Sequence, residues 1–343
     1  MRLRYIIIFF VVSYFGFSAS AQIGGQNTYQ FLNLPVSPRH SALGGKNITL
    51  NNYDPSSALN NPALINDMMD RNLSVNYMNF LGDVSYGTAS YAHLFDRRTR
   101  VLQMGITFIN YGSFDGFDEN ANATGTFTGN EAAISVGYQQ QLGRSDFHFG
   151  ANAKLISSSL ENFTSFGVAT DLGISYINER QDLIISGVIR NLGYQIKPFN
   201  EIREDLPLEI AIGISQKYRK LPFRWHITLE NLQEWNIAFR NTARDEVDLN
   251  GNITADDPGF FANLFRRTII GLEFFPDSGF NIQLGYNLRR GEELRIDEVR
   301  AFSGLSAGFS LKLNKIRLNY SYARFNRAAN ASFFGLSIDL DRY

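Results

Sequence analysis

Cysteine is absent from the 343 residues. Its absence excludes a disulfide framework and also a lipid-modified N-terminal cysteine. An excess of one charge sign is missing too: 32 Lys and Arg stand against 33 Asp and Glu, a formal −1. Without Arg2 and Arg4 the balance is 30 against 33, or −3, and such a chain offers no basic field to nucleic acid. Long apolar runs are also lacking. Beyond the N-terminal segment no stretch reaches the roughly 18 apolar residues that a membrane-crossing helix requires. Histidine is scarce, and His40, His93, His148 and His226 are spread so widely that no catalytic constellation is legible. Neither enzyme activity nor a resident cofactor is expected.

What is present is aromatic bulk, 29 Phe and 16 Tyr, set in a two-residue rhythm. In the C-terminal part, Leu305, Ala307, Phe309, Leu311 and Leu313 alternate with Gly304, Ser306, Gly308, Ser310 and Lys312. Ile316, Leu318, Tyr320 and Tyr322 oppose Arg317, Asn319, Ser321 and Ala323; Phe334, Leu336, Ile338 and Leu340 oppose Gly335, Ser337 and Asp339. Side chains on a strand change face at every residue, so these are strands with one apolar face and one polar or small face. The same pattern places strands near 72–80, 84–95, 101–111, 130–141, 147–159, 164–178, 182–192, 207–216, 223–232, 267–275, 279–288, 302–313, 315–324 and 333–341. Starting from the first strand, every second gap can be long (112–129, 193–206, 233–266, 289–301, 325–332), while the gaps between them stay short. An even strand number, long connections on one rim and tight turns on the other describe a bacterial outer-membrane barrel, and a sandwich has no reason to sort its loops so. The fold expected is therefore all-β: a transmembrane antiparallel barrel of about 14 strands, apolar side towards lipid, its long loops outward and both termini periplasmic.

The chain divides into three. Residues 1–21 read as a secretory signal, with Arg2 and Arg4, an apolar run from Ile6 to Phe17, and Ala19-Ser20-Ala21 before the cleavage point. Residues 22–70 lack alternation and carry turn-prone clusters such as Asp54-Pro55 and Asn60-Asn61-Pro62 around Phe31, Leu32, Leu34, Leu43, Leu59 and Leu64. Those apolar residues need burial, and the lumen of a barrel formed by 71–343 is the natural place, as a plug; a periplasmic tail or subdomain is the alternative.

The longest loop, 233–266, holds two candidate sites. Glu246, Asp248, Asn250 and Asp257, with Gly251 at the sixth position, have the spacing of a calcium loop, although Glu stands first where Asp is usual and Asp last where Glu is usual. The other reading is an acidic solvated turn. Trp235, Phe239, Phe260, Phe261 and Phe265 put unusual aromatic surface into the same loop. Either they fold over the rim or they form a patch on which a partner docks. The acidic runs 115–119, 201–205 and 292–298 read as solvated loop charge, with divalent-ion bridging to lipopolysaccharide as a second possibility.

The string from Tyr29 through Phe31-Leu-Asn-Leu-Pro-Val-Ser-Pro-Arg-His-Ser-Ala-Leu-Gly-Gly45, followed by Asn61-Pro62-Ala63-Leu64, resembles the N-terminal region of FadL-like fourteen-stranded outer-membrane proteins. More narrowly, the same string resembles the PorV–PorQ branch, which belongs to the type IX secretion system, the full Phe31–Gly45 run being the specific part. Tyr111-Gly112-Ser113-Phe114-Asp115, Leu221-Pro222-Phe223-Arg224 and Gly285-Tyr286-Asn287 are further matches. What that resemblance implies is an outer-membrane component of the attachment complex. It would tether a PorZ-like surface protein beside PorU and PorV while cargo is processed and fixed to lipopolysaccharide. A FadL-type transporter of hydrophobic small molecules is the alternative within the same superfamily.

Overall fold

The computed structural model describes residues 27–80, 83–96, 100–120, 122–218, 220–237, 246–247, 253–254, 259–293, 303–324 and 330–340. Fourteen antiparallel strands close into one barrel. They are β1 (Asn72–Asn79), β2 (Ser85–Asp96), β3 (Arg100–Phe117), β4 (Ala123–Gln141), β5 (Phe147–Leu160), β6 (Phe163–Asn178), β7 (Leu183–Lys197), β8 (Glu209–Tyr218), β9 (Phe223–Leu229), β10 (Thr268–Phe274), β11 (Phe280–Asn287), β12 (Leu305–Leu313), β13 (Ile316–Arg324) and β14 (Asn330–Asp339). Each strand pairs with its sequence neighbours, and β1 closes on β14 from Asn72↔Asp339 to Asn79↔Ser332. Closure of first on last removes the edge an open sheet would expose.

Alternation decides which face looks where. On β1, Ser74 and Asn76 are buried whereas Val75 and Tyr77 are each 47 % exposed. On β10, Glu273 is fully buried while Ile270 is exposed. In a closed sheet the buried face is the inside, so the polar and small residues line the lumen and the apolar ones form the outer band. The strand connections run from two to five residues on one rim, whereas on the other the 230–267 connection takes 38. The wall is uneven: β3 to β7 hold 14 to 19 residues each, β9 and β10 only 7. A membrane crossing takes about 9–11 tilted residues. Strands β3 to β7 therefore rise past the apolar band on the long-connection side.

That rise corrects one expectation. The gap at 112–129 is mostly strand, because β3 and β4 keep pairing from Ser113↔Thr128 to Phe117↔Ala123 beyond a bulge, with Gly112 at φ 76°. Both faces of this projection are in water, so nothing imposes an apolar–polar rhythm there. The acidic run 115–119 accordingly begins within a strand. Its tip is an Asp118 turn, in which hydrogen bonds from Asn122 hold the carboxyl below its ordinary range.

Residues 27–70 run through the barrel interior from one rim to the other. At the long-connection rim Asn27 bridges Asp205, and at the other Asp70 bridges Ala92. Three short helical pieces pack against the inward faces of the wall. Helix α1 (Pro38–Ala42) lies on β11 to β14, the 3-10 turn Pro55–Leu59 on β1 to β4, and the turn Pro62–Leu64 on β4 to β6. Each begins with proline, whose missing N–H is no loss at a first helical position. Asp54 and Asn61 then accept hydrogen bonds from Ser56 N and Ala63 N at 2.9 and 3.0 Å, closing the turns. The first part, Tyr29, Phe31 and Leu32, meets an apolar ring of inward residues that includes Tyr86, Ile109, Ile156 and Phe333. That ring lies near the long-connection rim, and it draws residue 27 there. Towards the C-terminus, Leu340 N bonds Arg71 O at the short-turn rim. Residues 1–26 and 341–343, on which the expectation for the two chain ends falls, lie outside the described residues. The signal segment 1–21 lies outside the described residues.

Candidate functional site

The interior is held by charge as well as by shape. Arg39 on α1 reaches Glu273 on β10, with Nη2 and Nε 2.6 and 2.7 Å from Oε1. His226 on β9 places Nε2 3.3 Å from the second carboxylate oxygen and Nδ1 3.0 Å from Thr49 Oγ1. Nearby, Lys46 Nζ lies 2.9 Å from Glu209 and 3.3 Å from Glu230, while Arg190 grips Glu209 and the side chain of Asn60. On the facing wall Lys154 pairs with Asp171 at 2.8 Å, and neighbouring Asn152 donates to Ala58 O at 2.8 Å. In the interior ion pairs to Glu209, Glu230 and Glu273 the segment supplies the cations Arg39 and Lys46 and the wall the carboxylates. At the short-turn rim, by contrast, Asp70 of the segment lies 3.5 Å from His93 of β2. A buried charge costs several kcal/mol to desolvate and is tolerated only with its partner in place. Wall and segment are thus keyed to one another.

Hydroxyls and amides fill the remaining positions. Ser306 donates to Ala42 O at 2.9 Å, Thr88 to Val36 O at 2.8 Å and Asn61 to Ser175 at 3.3 Å. At the mouth Tyr29 shares a 2.5 Å hydrogen bond with Ser165, and burial pushes its phenol up, so it stays protonated. A gap between Leu32, Val36, Leu59, Tyr86 and Lys154 measures about 20 Å³, room for one water. A shallow groove of about 680 Å³ lies instead on the outer face, lined by Val75, Tyr77, Phe309, Leu318, Phe334 and Leu336. It belongs to the apolar band, where acyl chains lie, and has no part in the interior network.

The histidines that look scattered in sequence are partly gathered. His226 bonds Glu273, and His40 stands next to Arg39 in α1 with Nδ1 2.9 Å from Ser37 Oγ. His148 and His93 stay apart, at Gln139 and Asp70 respectively. Sequence reasoning missed the Arg39–Glu273 and Lys46–Glu209 links because the partners are 234 and 163 residues apart. The available signal was one glutamate on the inward parity of each of two strands, Glu209 in EIAIGISQKY and Glu273 in TIIGLEF.

At the long-connection rim, Trp235 stacks on Phe260 at 5.0 Å, and Phe260 meets Phe261 edge-on at 5.6 Å. The three Phe belong to helix α2 (Phe260–Arg266), where Phe260, Phe261 and Phe265 are 60, 70 and 59 % exposed. Its polar member faces inward: Asn263 is buried and accepts from Ile237 N at 3.1 Å. Arg267 fixes the base, lying 5.2 Å from the Trp235 ring and donating to the carbonyls of Glu230 and Asn231. The structure thus brings Trp235, Phe260, Phe261 and Phe265 onto one exposed surface, and Phe239 lies outside the described residues. Of the calcium-loop set, Glu246 is described only as backbone, in a two-residue antiparallel pairing of 246–247 with 253–254. Asp248, Asn250 and Asp257 lie outside the described residues.

No family model and no curated protein matches the chain. Solved structures do. A mutant of the monoaromatic hydrocarbon channel TodX superposes with a TM-score of 0.51 at 13 % identity, covering 88 % of this chain and 96 % of that one. The KdgM porin matches at a TM-score of 0.29 and 8 % identity over 78 % of this chain and 98 % of its own, a score that carries no argument. What the first likeness establishes is the fold: this chain is a closed fourteen-stranded antiparallel β-barrel, the architecture it shares with that structure.

Proposed function

We propose that this protein is an outer-membrane anchor rather than a conduit. In this reading it is the PorQ-like member of a type IX attachment complex, holding a PorZ-like surface protein beside PorU and PorV, within reach of lipopolysaccharide. The observation that carries the reading is the charge-keyed lumen, in which the 27–70 segment packs on the inward faces of the wall and is tied there by Arg39–Glu273 and Lys46–Glu209. The exposed Trp235, Phe260, Phe261 and Phe265 surface supplies the second requirement, since clustered aromatics concentrate binding energy at interfaces. The resemblance of the Phe31–Gly45 string gives the partner class. In membranes from a type IX-secreting host, Trp235→Ala combined with Phe261→Ala is expected to cut partner co-purification by about tenfold or more, each lost anchor being worth about 2 kcal/mol. Heat-modifiable mobility of the barrel should stay unchanged. Undiminished co-purification would count against docking at this surface.

The likeness to TodX favours a second reading, passage of a hydrophobic small molecule, which requires the interior segment to move. Flux of toluene into vesicles carrying the purified wild-type protein, above that of empty vesicles, would support it and weaken the anchor reading.

A further inference from the structure

Strand β7 outruns its neighbour. Its last pair with β8 is Arg190↔Glu209, yet β7 continues to Lys197, still paired with β6 as far as Phe166↔Lys197. The chain leading into β8 does not climb alongside it. From the top of β7 it dives into the mouth, where Asp205 bridges Asn27 and Leu206 is buried with Tyr29, Phe31 and Leu32. It ties back to β7 through side chains, Glu204 N to Gln195 Oε1 at 2.8 Å and Asn191 Nδ2 to Pro207 O at 3.0 Å. Among the described residues, the backbone of 191–197 therefore makes no ladder on its β8 side. Along the same stretch Leu192, Tyr194 and Ile196 point outward, 48, 61 and 54 % exposed.

We propose that this edge of β7 docks an extended segment of a surface protein, which adds a β-strand to the wall above β8. The proposal rests on the anchor reading and specifies how the partner is held. A row of unpaired N–H and C=O groups beside apolar side chains at two-residue spacing matches an extended backbone, because strand addition satisfies both features together. Open edges are ordinarily blunted by proline, lysine or a bulge. The stretch is bounded by a register shift against β6 at each end, at Thr170/Leu172 and Phe166/Gly167. Leu192-Gly193-Tyr194-Gln195-Ile196 itself carries no proline or lysine, and Lys197 and Pro198 come only at its end. The edge also stands clear of lipid: β7 has 15 residues where about 9–11 span the bilayer, so its last turns of chain lie in water. The next strands round, β8 and β9, are shorter, at 10 and 7 residues, and the Trp235 and α2 surface belongs to the connection that follows β9, whose Leu232 N bonds Ile210 O of β8. A strand leaving the β7 edge across β8 runs onto those aromatics.

Hydrogen–deuterium exchange on the full chain tests this, comparing detergent-purified protein with outer-membrane vesicles from a host carrying the type IX apparatus. Successive amides on a strand point to opposite sides, so alternate amides within 192–197 should exchange freely when purified and about tenfold or more slowly in the vesicles. Fast exchange of those amides in both preparations overturns the proposal. Slow exchange in both overturns it too, since the edge would then be covered by the chain's own 238–258 connection. Tyr194→Pro and Gln195→Pro provide a second arm: one removes a wall bond to β6 and the other an edge donor, with Gln195→Ala as the control for the side-chain bonds to Glu204 N and Ser165 Oγ. The edge variant should insert and melt no worse than Gln195→Ala yet, unlike that control, lose the vesicle-specific protection; retained protection overturns the proposal. Partner co-purification keeps the two ideas separable. If Trp235→Ala with Phe261→Ala releases a partner while the edge is never protected, strand addition fails and the anchor stands.

Discussion

Glu273→Ala is expected to free the interior segment while leaving the wall intact. The carboxylate receives Arg39 at 2.6 Å and His226 at 3.3 Å, with Arg224 at 3.8 Å, in a site that is fully buried. Deleting it leaves the Arg39 guanidinium inside the barrel without its counter-ion, a change that costs about 3–5 kcal/mol at buried pairs. The wall has its own closed ladder and outer apolar band, so the penalty falls on the contact between segment and wall. Limited proteolysis of purified protein should then cut within 27–70, and planar-bilayer recordings should show conductance steps where wild type is silent. Arg39→Met combined with Glu273→Met should recover most of the protection, because removing both charges also removes the desolvation problem. If Glu273→Ala is as resistant and as silent as wild type, the lumen is held by shape alone.

How much of this was legible beforehand depends on which physical force writes the pattern. Strands β1, β6, β12 and β13 begin and end within about three residues of where alternation put them, because lipid on one side and a packed interior on the other impose a two-residue rhythm. Where that contrast vanishes the rhythm vanishes with it. The upper β3–β4 hairpin is wetted on both faces, and among the described residues the final stretch of β7 has a strand partner on one side only. The turn chemistry of Asp54-Pro55 and Asn61-Pro62 was visible as local punctuation, but the path of the segment was not. That path follows from Phe31 and Leu32 finding Tyr86, Ile109 and Phe333, contacts between distant stretches that periodicity cannot express. The rim was half legible: aromatic content singled out Trp235 and the three phenylalanines, whereas the stacking that joins them depends on helix α2 turning Asn263 inward.

Gly285→Leu should expel the same segment by shape instead of charge. A Cβ on Gly285 points into the backbone of Ala42, Leu43 and Gly44, and a main chain cannot rotate aside as a side chain can. Gly44 is itself at φ 96°, a conformation that only glycine adopts without strain, so the chain there has little room to shift. Overpacking of this kind costs about 1–3 kcal/mol where neighbours yield, and more where they do not. Gly187→Ala is the matched control: its Cβ meets only Ile174 Cγ2 at 3.6 Å, and it should behave as wild type in proteolysis and conductance. The decisive measurement is the double variant. Gly285 on β11 and Glu273 on β10 hold the same segment through Leu43 and Arg39, four residues apart. Once either change has released the segment, the other has nothing left to break. Glu273→Ala with Gly285→Leu should therefore be no more protease-sensitive or conductive than the more affected single variant, a coupling of about the size of one whole effect. Additive losses would mean that the two residues act on separate elements, and the keyed-lumen account would fail.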